Sequence, residues 1–94
     1  KADHYFVGVV READVLGQDD LYRVEVRNRV EVGDEIEVVE PGCEEMFKKV
    51  KIEEMIGLDK ESVDVAHGGA KDIYFRLGKG LKVGGLLRGR VVVA

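Results

Sequence analysis

The residues with the most obvious chemical potential are one serine, one cysteine and two histidines. Ser62 lies in an acidic segment, and no base that could activate a serine nucleophile is recognisable beside it. Cys43 could act as a nucleophile if His4 or His67 lay next to it in the fold. The plainer interpretation is a surface serine in a turn and a partly buried loop cysteine. We therefore expect no catalytic residue in this chain.

Metal and phosphate sites are also poorly supported. His4, Cys43 and His67 could meet as zinc ligands, but their spacing matches no ligand motif and a fourth ligand is missing. One cysteine cannot hold an iron–sulfur cluster that needs four ligands. Acid–base catalysis needs carboxyls that face each other, so we interpret the adjacent carboxylates as solvated surface. Gly78-Lys79-Gly80 lacks the context of a phosphate loop, and we expect no metal or cofactor.

Basic residues form the most promising binding feature. Eight of them flank the predicted strands: Arg23, Arg27, Arg29, Arg76, Lys79, Lys82, Arg88 and Arg90. If the first and last strands meet, these could form one positive patch for RNA or another substrate, with Tyr22 or Tyr74 as a stacking platform. The contact candidates are Arg27, Arg29, Arg76, Arg88 and Tyr74.

A competing interpretation assigns the same arginines a structural role. Alternation along the strands would place them opposite carboxylates of neighbouring strands, which favours cross-strand ion pairs. The net charge of −4 supports this interpretation over an RNA patch. The carboxylates expected to pair are Glu25, Glu31, Glu35 and Glu37.

Length and composition limit the class of protein. The 94 residues make a single domain, 1–94, which we expect to be part of a longer protein because no initiator methionine is present. Charged residues of both signs make up 36% of the chain, and no apolar run approaches the roughly 20 residues of a membrane span. The lack of a signal peptide and the single cysteine favour the cytoplasm. Scarce Ser, Asn and Gln and absent Thr favour a heat-adapted source.

Strand-like alternation dominates the chain. The central stretch Leu21–Gly42 alternates apolar and charged residues in two runs, and Ile73–Leu77 alternates again. Gly8 inside the apolar run His4–Arg11 predicts a bulge or a bent first strand. Val30–Gly33 and Leu81–Gly84 share the order apolar, charged, valine, glycine, and each is expected to lead into a strand. We predict an all-β fold: a small closed antiparallel barrel of about six strands.

Two segments are harder to assign. Glu44–Ile56 has i,i+4 Glu–Lys pairs and a following Gly57, which favour a helix. Strict alternation from Lys49 to Glu53 favours a strand instead, and we predict a strand from about Lys48 to Ile56. Val91–Val93 is expected to close the sheet or cover one of its edges.

The strand sequences also resemble a known family. Val24–Arg29, with V-E-V-R-N-R, and Val32–Val38, with V-G-D-E-I-E-V, are similar to the C-terminal domain of the collagenase-like peptidase family, U32. The resemblance continues through Tyr5–Val10, Ile52–Met55 and Leu86–Arg88, so it covers nearly the whole chain. His67 departs from it, since the family commonly has proline there. A more distant similarity is to the second, barrel domain of translation elongation factors, which implies a translation-factor-like barrel.

The resemblance to the U32 family implies an accessory role. Members are associated with peptidase activity, whose catalytic part would be a larger N-terminal domain outside this chain. Several relatives are associated instead with hydroxylating a base in RNA, using iron–sulfur centres in that other domain. The expected function is therefore a non-catalytic, substrate-positioning or interaction domain of a peptidase-family protein. The alternative is an RNA-binding module of a base-hydroxylating enzyme. Either way, the expected partner is the catalytic domain of the parent.

Overall fold

A computed structural model describes residues 4–42 and 46–91. Apart from one short 3-10 turn, Val15–Gly17, its regular structure is all β. The strands are β1 His4–Glu12, β2 Leu21–Val26, β3 Val30–Glu31, β4 Glu35–Val39, β5 Phe47–Lys51, β6 Glu54–Ile56, β7 Ser62–Val63, β8 Val65–Ala66, β9 Ile73–Arg76 and β10 Leu86–Arg90. The all-β prediction is confirmed.

Eight of the strands form one antiparallel sheet that is bent into a half-barrel. Their order is β5-β4-β10-β1-β2-β9-β6-β7, while β3 and β8 form a separate pair. Only Ile52 and Glu53 separate β5 from β6, although these strands lie near opposite ends of that order. The Ile52 amide donates to Asp34 O at 2.9 Å, and the Glu53 amide donates to Arg76 O at 3.0 Å. One segment of chain therefore hydrogen-bonds to both ends of the half-barrel.

The core fills the concave side of this sheet. Alternation in the strands directs every second side chain there, and the largest buried residues of this core cluster are Tyr22, Phe75, Ile36, Ile52, Met55 and Leu87. Because apolar burial stabilises by roughly 25 cal/mol per Å², this single layer of side chains is the main source of stability. It also fixes which side chains point outward.

Gly8 behaves as the sequence predicted. The pairing of β1 with β10 shifts register between Phe6 and Gly8, which marks a bulge. A Cβ at Gly8 would lie 2.4 Å from Glu25 O of the neighbouring strand. Only glycine permits β1 and β2 to approach this closely.

The two similar turn sequences have the same backbone arrangement. In the first, the Asp34 amide donates to Glu31 O at 3.1 Å, and in the second the Gly85 amide donates to Lys82 O at 3.0 Å. The third residue of each turn is a glycine with positive φ, +96° at Gly33 and +91° at Gly84. As predicted, each turn leads into a strand, and those strands, β4 and β10, are neighbours.

Two predictions need correction or qualification. The segment predicted as a strand from Lys48 to Ile56 is extended, but it is divided into β5 and β6 at Ile52. Val91 lies outside any strand, and residues 92 and 93 fall outside the described residues. Cys43 and the first two residues of the Glu44–Ile56 segment also fall outside them. The last described strand is β10, which ends at Arg90 directly before Val91 and lies between β1 and β4. The ten short strands do not confirm a count of about six.

Candidate functional site

The convex side of β5, β4, β10 and β1, termed here the outer face, carries an apolar row. Val38 and Leu87 belong to the core, so their neighbours in sequence must point outward. The strand register aligns these outward residues across all four strands. The apolar row consists of Phe47, Val39, Leu86 and Val9.

This row combines covered and exposed side chains. Val39 and Val9 are almost buried, yet neither belongs to the core cluster on the concave side. Leu86 is 43% exposed and Phe47 is 44% exposed. The outer face therefore has its own small apolar layer, whose upper surface is open to solvent.

Arginines cover part of the aromatic surface on this face. The Arg88 guanidinium carbon lies 5.1 Å from the ring centre of Phe47. On β1, Phe6 is 38% exposed and has Arg27 at 5.9 Å from its ring centre. Both distances are within the range of cation–π attraction, so the two arginines are held beside aromatic rings.

A charged cluster around Glu37 borders the apolar row. Glu37 is 5% exposed, and its Oε1 accepts a hydrogen bond from Arg88 Nε at 2.8 Å. Burial raises the pKa of the Glu37 carboxyl. The hydrogen bond and charge of Arg88, together with the charges of His4 and Arg90, lower this pKa by a larger amount, so the net shift is downward. A carboxyl that remains ionised at neutral pH is unsuited to act as a general acid.

His4 lies in the same cluster but forms no hydrogen bond with Glu37. Its Nε2 is 3.1 Å from Glu37 Oε1, but the two atoms are not aligned as a hydrogen bond, and this nitrogen is buried without a hydrogen-bond partner. Lys49 and Arg90 line a small groove together with Glu37. The cluster is therefore rich in cations around one buried carboxylate.

The predicted contact arginines are engaged in ion pairs. Arg27 Nε is 2.7 Å from Glu25, and Arg29 Nη2 is 2.8 Å from Glu31. Arg88 with Glu37 is a cross-strand pair of the predicted kind, between β10 and β4. Arg27 and Arg29 also pair with predicted carboxylates, but each partner is two residues away in the sequence rather than on a neighbouring strand.

The fourth predicted arginine differs from that pattern. Arg76 pairs with Asp20 at 2.7 Å and with Glu54 at 2.9 Å, and neither carboxylate was among those expected. Glu35 forms no ion pair among the residues that the structure describes. Arg76 pairs across to Glu54 because β9 lies beside β6, a neighbour that local alternation does not reveal.

The structure separates the contact candidates into three regions. Arg88 belongs to the outer face on β10, and Arg27 lies over Phe6 on the adjacent strand. Tyr74 and Arg76 belong to β9, which is separated from β10 by β1 and β2. Arg29 precedes the small β3–β8 sheet. One continuous patch containing all five candidates is therefore not formed.

The other chemical candidates are dispersed. Ser62 is exposed in β7, and His67 is exposed in the loop after β8. Within residues 4–42 and 46–91, no three His, Cys, Asp or Glu side chains are arranged to hold a metal ion. The Gly78–Gly80 loop is attached to the core, because Tyr22 Oη donates to Gly78 O at 2.5 Å and accepts from the Leu81 amide at 3.1 Å.

Sequence reasoning missed the main constituents of the outer face. Phe6, Phe47 and Leu86 were not among the candidates, because charged residues were given priority, and Glu37 was expected only as an ion-pair partner. A signal was present: Val38-Val39 and Leu86-Leu87 are adjacent apolar pairs in strands, and they require apolar residues on both sides of a sheet.

Comparison with known proteins establishes the family. A family model described as the peptidase family U32 C-terminal domain matches residues 2–88. The chain belongs to this family. This U32 C-terminal domain has no match among curated proteins.

Two crystal structures share the fold of this U32 domain. Both are C-terminal domains of a Geobacillus thermoleovorans protein assigned to the U32 peptidases, and both have a TM-score of 0.75. The selenomethionine variant is 24% identical, with 89% of this chain and 98% of the other covered. The second is 22% identical, with coverages of 93% and 92%. In the described residues of our chain, no helix is long and apolar enough to cross a membrane.

Proposed function

We propose that this domain is a non-catalytic accessory module of a U32-family protein, which positions or holds a substrate for a catalytic domain elsewhere in the parent. The observation that supports it best is the ion pairing of Arg27, Arg29, Arg76 and Arg88. An arginine paired with a carboxylate of its own domain has a structural role and is less available for catalysis or for binding another anion. The family description, a C-terminal domain, supports a parent with a preceding part.

A two-part experiment tests the accessory role. The isolated domain, incubated with casein, is expected to cleave nothing. The parent lacking this domain should then be titrated with the isolated domain and followed by analytical ultracentrifugation. Association of the two parts is the expected result. Casein cleavage by the domain alone, abolished by Ser62→Ala, would refute a non-catalytic role.

The second candidate function is RNA binding for a base-hydroxylating parent. Its support is a group of cations around Glu37: Lys49, Lys51 and Arg90 have no carboxylate partner within 4.0 Å in the described part of the chain. Together with Arg88 they could contact an RNA backbone. Arg27, Arg29 and Arg76 would contact RNA only if their existing ion pairs opened, whereas the half-buried Tyr74 would offer a stacking face.

Electrophoretic titration with tRNA at two salt concentrations tests this alternative. Binding tighter than about 10 µM that weakens steeply between about 50 and 200 mM salt would favour RNA contact. Lys49→Ala with Lys51→Ala should then reduce both the affinity and its salt dependence. The matched control replaces Lys60 and Lys71, which are exposed in loops. Equal losses in the two double variants would contradict a specific site.

The fold supports two further inferences. We infer that residues 47–56 act as one bent strand that joins β4 to β9, which would make a closed circuit of six strands. Slow amide exchange at Ile52 and Glu53 would support such closure. We also infer a cytoplasmic parent in a heat-adapted organism, since the crystallised relatives come from a thermophile. An unfolding midpoint above about 65 °C would support this origin.

A further inference from the structure

We propose that the outer face is the surface on which the preceding part of the parent protein docks, with Leu86, Phe47 and Phe6 as its contact centre. This inference rests on the accessory role proposed above and assigns it a surface. The expected partner surface is apolar at its centre and carries carboxylates at its edge.

The apolar centre has the composition of an interaction surface. Aromatic residues and arginine are enriched in the centres of protein interfaces, and charged side chains are depleted there. Phe47 and Phe6 each have an arginine over the ring, and Leu86 lies in register between Val39 and Val9. Val39 and Val9 support Leu86 from both sides, so its exposed side chain lies on a packed and rigid base. Such pre-organisation lowers the entropic cost of binding.

The charged rim indicates the chemistry of the partner. Beside the apolar row, the register places Lys49 and Lys51 on β5, Glu35 and Glu37 on β4, and Arg88 and Arg90 on β10. Four cations thus surround two carboxylates, and the one buried carboxylate, Glu37, is already taken by Arg88. A partner with carboxylates at this edge would satisfy Lys49 and Arg90 and would be selected over a basic surface.

The position of the chain entry indicates which partner this is. β1 begins at His4, which lies beside Glu37 on the outer face. In a C-terminal domain, the polypeptide arriving from the preceding part enters at β1, next to the apolar row. Because both parts belong to one polypeptide, their contact is intramolecular, and tethering raises its effective concentration, to the order of millimolar where the linker is short. A partner supplied from solution would lack that advantage.

Cysteine labelling in the parent protein tests the proposal. In a Cys43→Ser background, Leu86→Cys places a thiol on the outer face, and Leu58→Cys places one in the turn between β6 and β7. Leu58 is the matched control for Leu86, since the two side chains are 45% and 43% exposed. Maleimide modification would be followed by mass spectrometry of the peptide that carries each residue, in the parent and in the isolated domain. The domain can be studied alone, because the C-terminal domain of a relative was crystallised as such.

The expected result is labelling at position 86 at least tenfold slower in the parent than in the isolated domain, and labelling at position 58 changed less than twofold. Lys49→Glu with Arg90→Glu should restore fast labelling at position 86 in the parent. Protection at position 58 alone would overturn the assigned surface while leaving the accessory role intact. No protection at either site, together with no association of the separated parts, would refute both. Protection that grows with concentration in the isolated domain would identify a second copy as the occupant and overturn the proposal.

Discussion

Replacement of Tyr22 by phenylalanine tests how the β2 strand is connected to the segment before β10. The Tyr22 side chain is 1% exposed, and its hydroxyl bonds to Gly78 O and to the Leu81 amide, 56 and 59 residues away in the chain. Burial raises the pKa of this phenol, with the Leu81 hydrogen bond opposing the shift. The hydroxyl is therefore neutral and serves as both donor and acceptor.

Tyr22→Phe keeps the buried ring but removes the hydrogen bonds to Gly78 O and from the Leu81 amide, together with a longer one of 3.3 Å to Asp19 O. The Leu81 amide and the Gly78 carbonyl would be left without their partner, and a buried unsatisfied polar group costs about 1–3 kcal/mol. Since the exposed loop can rehydrate the Gly78 carbonyl, we expect a loss of about 2 kcal/mol in the free energy of unfolding. In a domain of this size that loss lowers the thermal midpoint by roughly 10 °C.

Urea denaturation followed by circular dichroism would measure this effect, with Tyr74→Phe as the control. Tyr74 is only half-buried, so water can replace its hydroxyl contacts, and its loss should stay below about 0.5 kcal/mol. Equal midpoints for the Tyr22→Phe variant and the native domain would refute the assigned role of the hydroxyl. A changed m-value with an unchanged midpoint would point to the unfolded state instead.

Two other predictions concern the backbone and the charged cluster. Gly8→Ala forces a Cβ against Glu25 O at 2.4 Å, so the domain should lose about 3 kcal/mol or fail to fold. Gly17→Ala, which meets open space at a φ of +72°, should cost only about 1 kcal/mol in the same urea assay. The folded-state pKa of Glu37 lies below the ordinary 4.5, so its contribution to stability is complete above that pH and is lost as pH falls through the folded pKa. Glu37→Gln should therefore flatten the decline of stability below pH 4.5; an unchanged acid slope would contradict this pairing.

Local sequence patterns predicted the strands well because alternation reflects which side of a sheet is buried. Leu21–Val26 and Ile73–Arg76 followed this rule. The bulge in β1 was predicted from Gly8, the single glycine of that strand. The resemblance of V-E-V-R-N-R and V-G-D-E-I-E-V also identified the family correctly.

Long-range neighbours could not be predicted in the same way. The pairing of Arg76 with Asp20 and Glu54 depends on β9 lying between β2 and β6, and alternation within β9 carries no information about that order. The apolar row likewise requires β10 to lie between β4 and β1, so that Leu86 meets Val39 and Val9. Strand order arises from closing the whole core, to which residues distant in sequence contribute together.

The antiparallel pairing of β1 with β10 also determines how the domain responds to mechanical force. His4 is opposite Arg90, so the first and last described strands enter and leave the fold at the same end of one pair. A force applied through both ends would act in unzipping geometry, so the hydrogen bonds of that pair would break one after another rather than together as in shear. Such a geometry yields at low tension. The domain would therefore unfold readily if its two ends were pulled in opposite directions. When it is not under tension, the distance between its two ends is short.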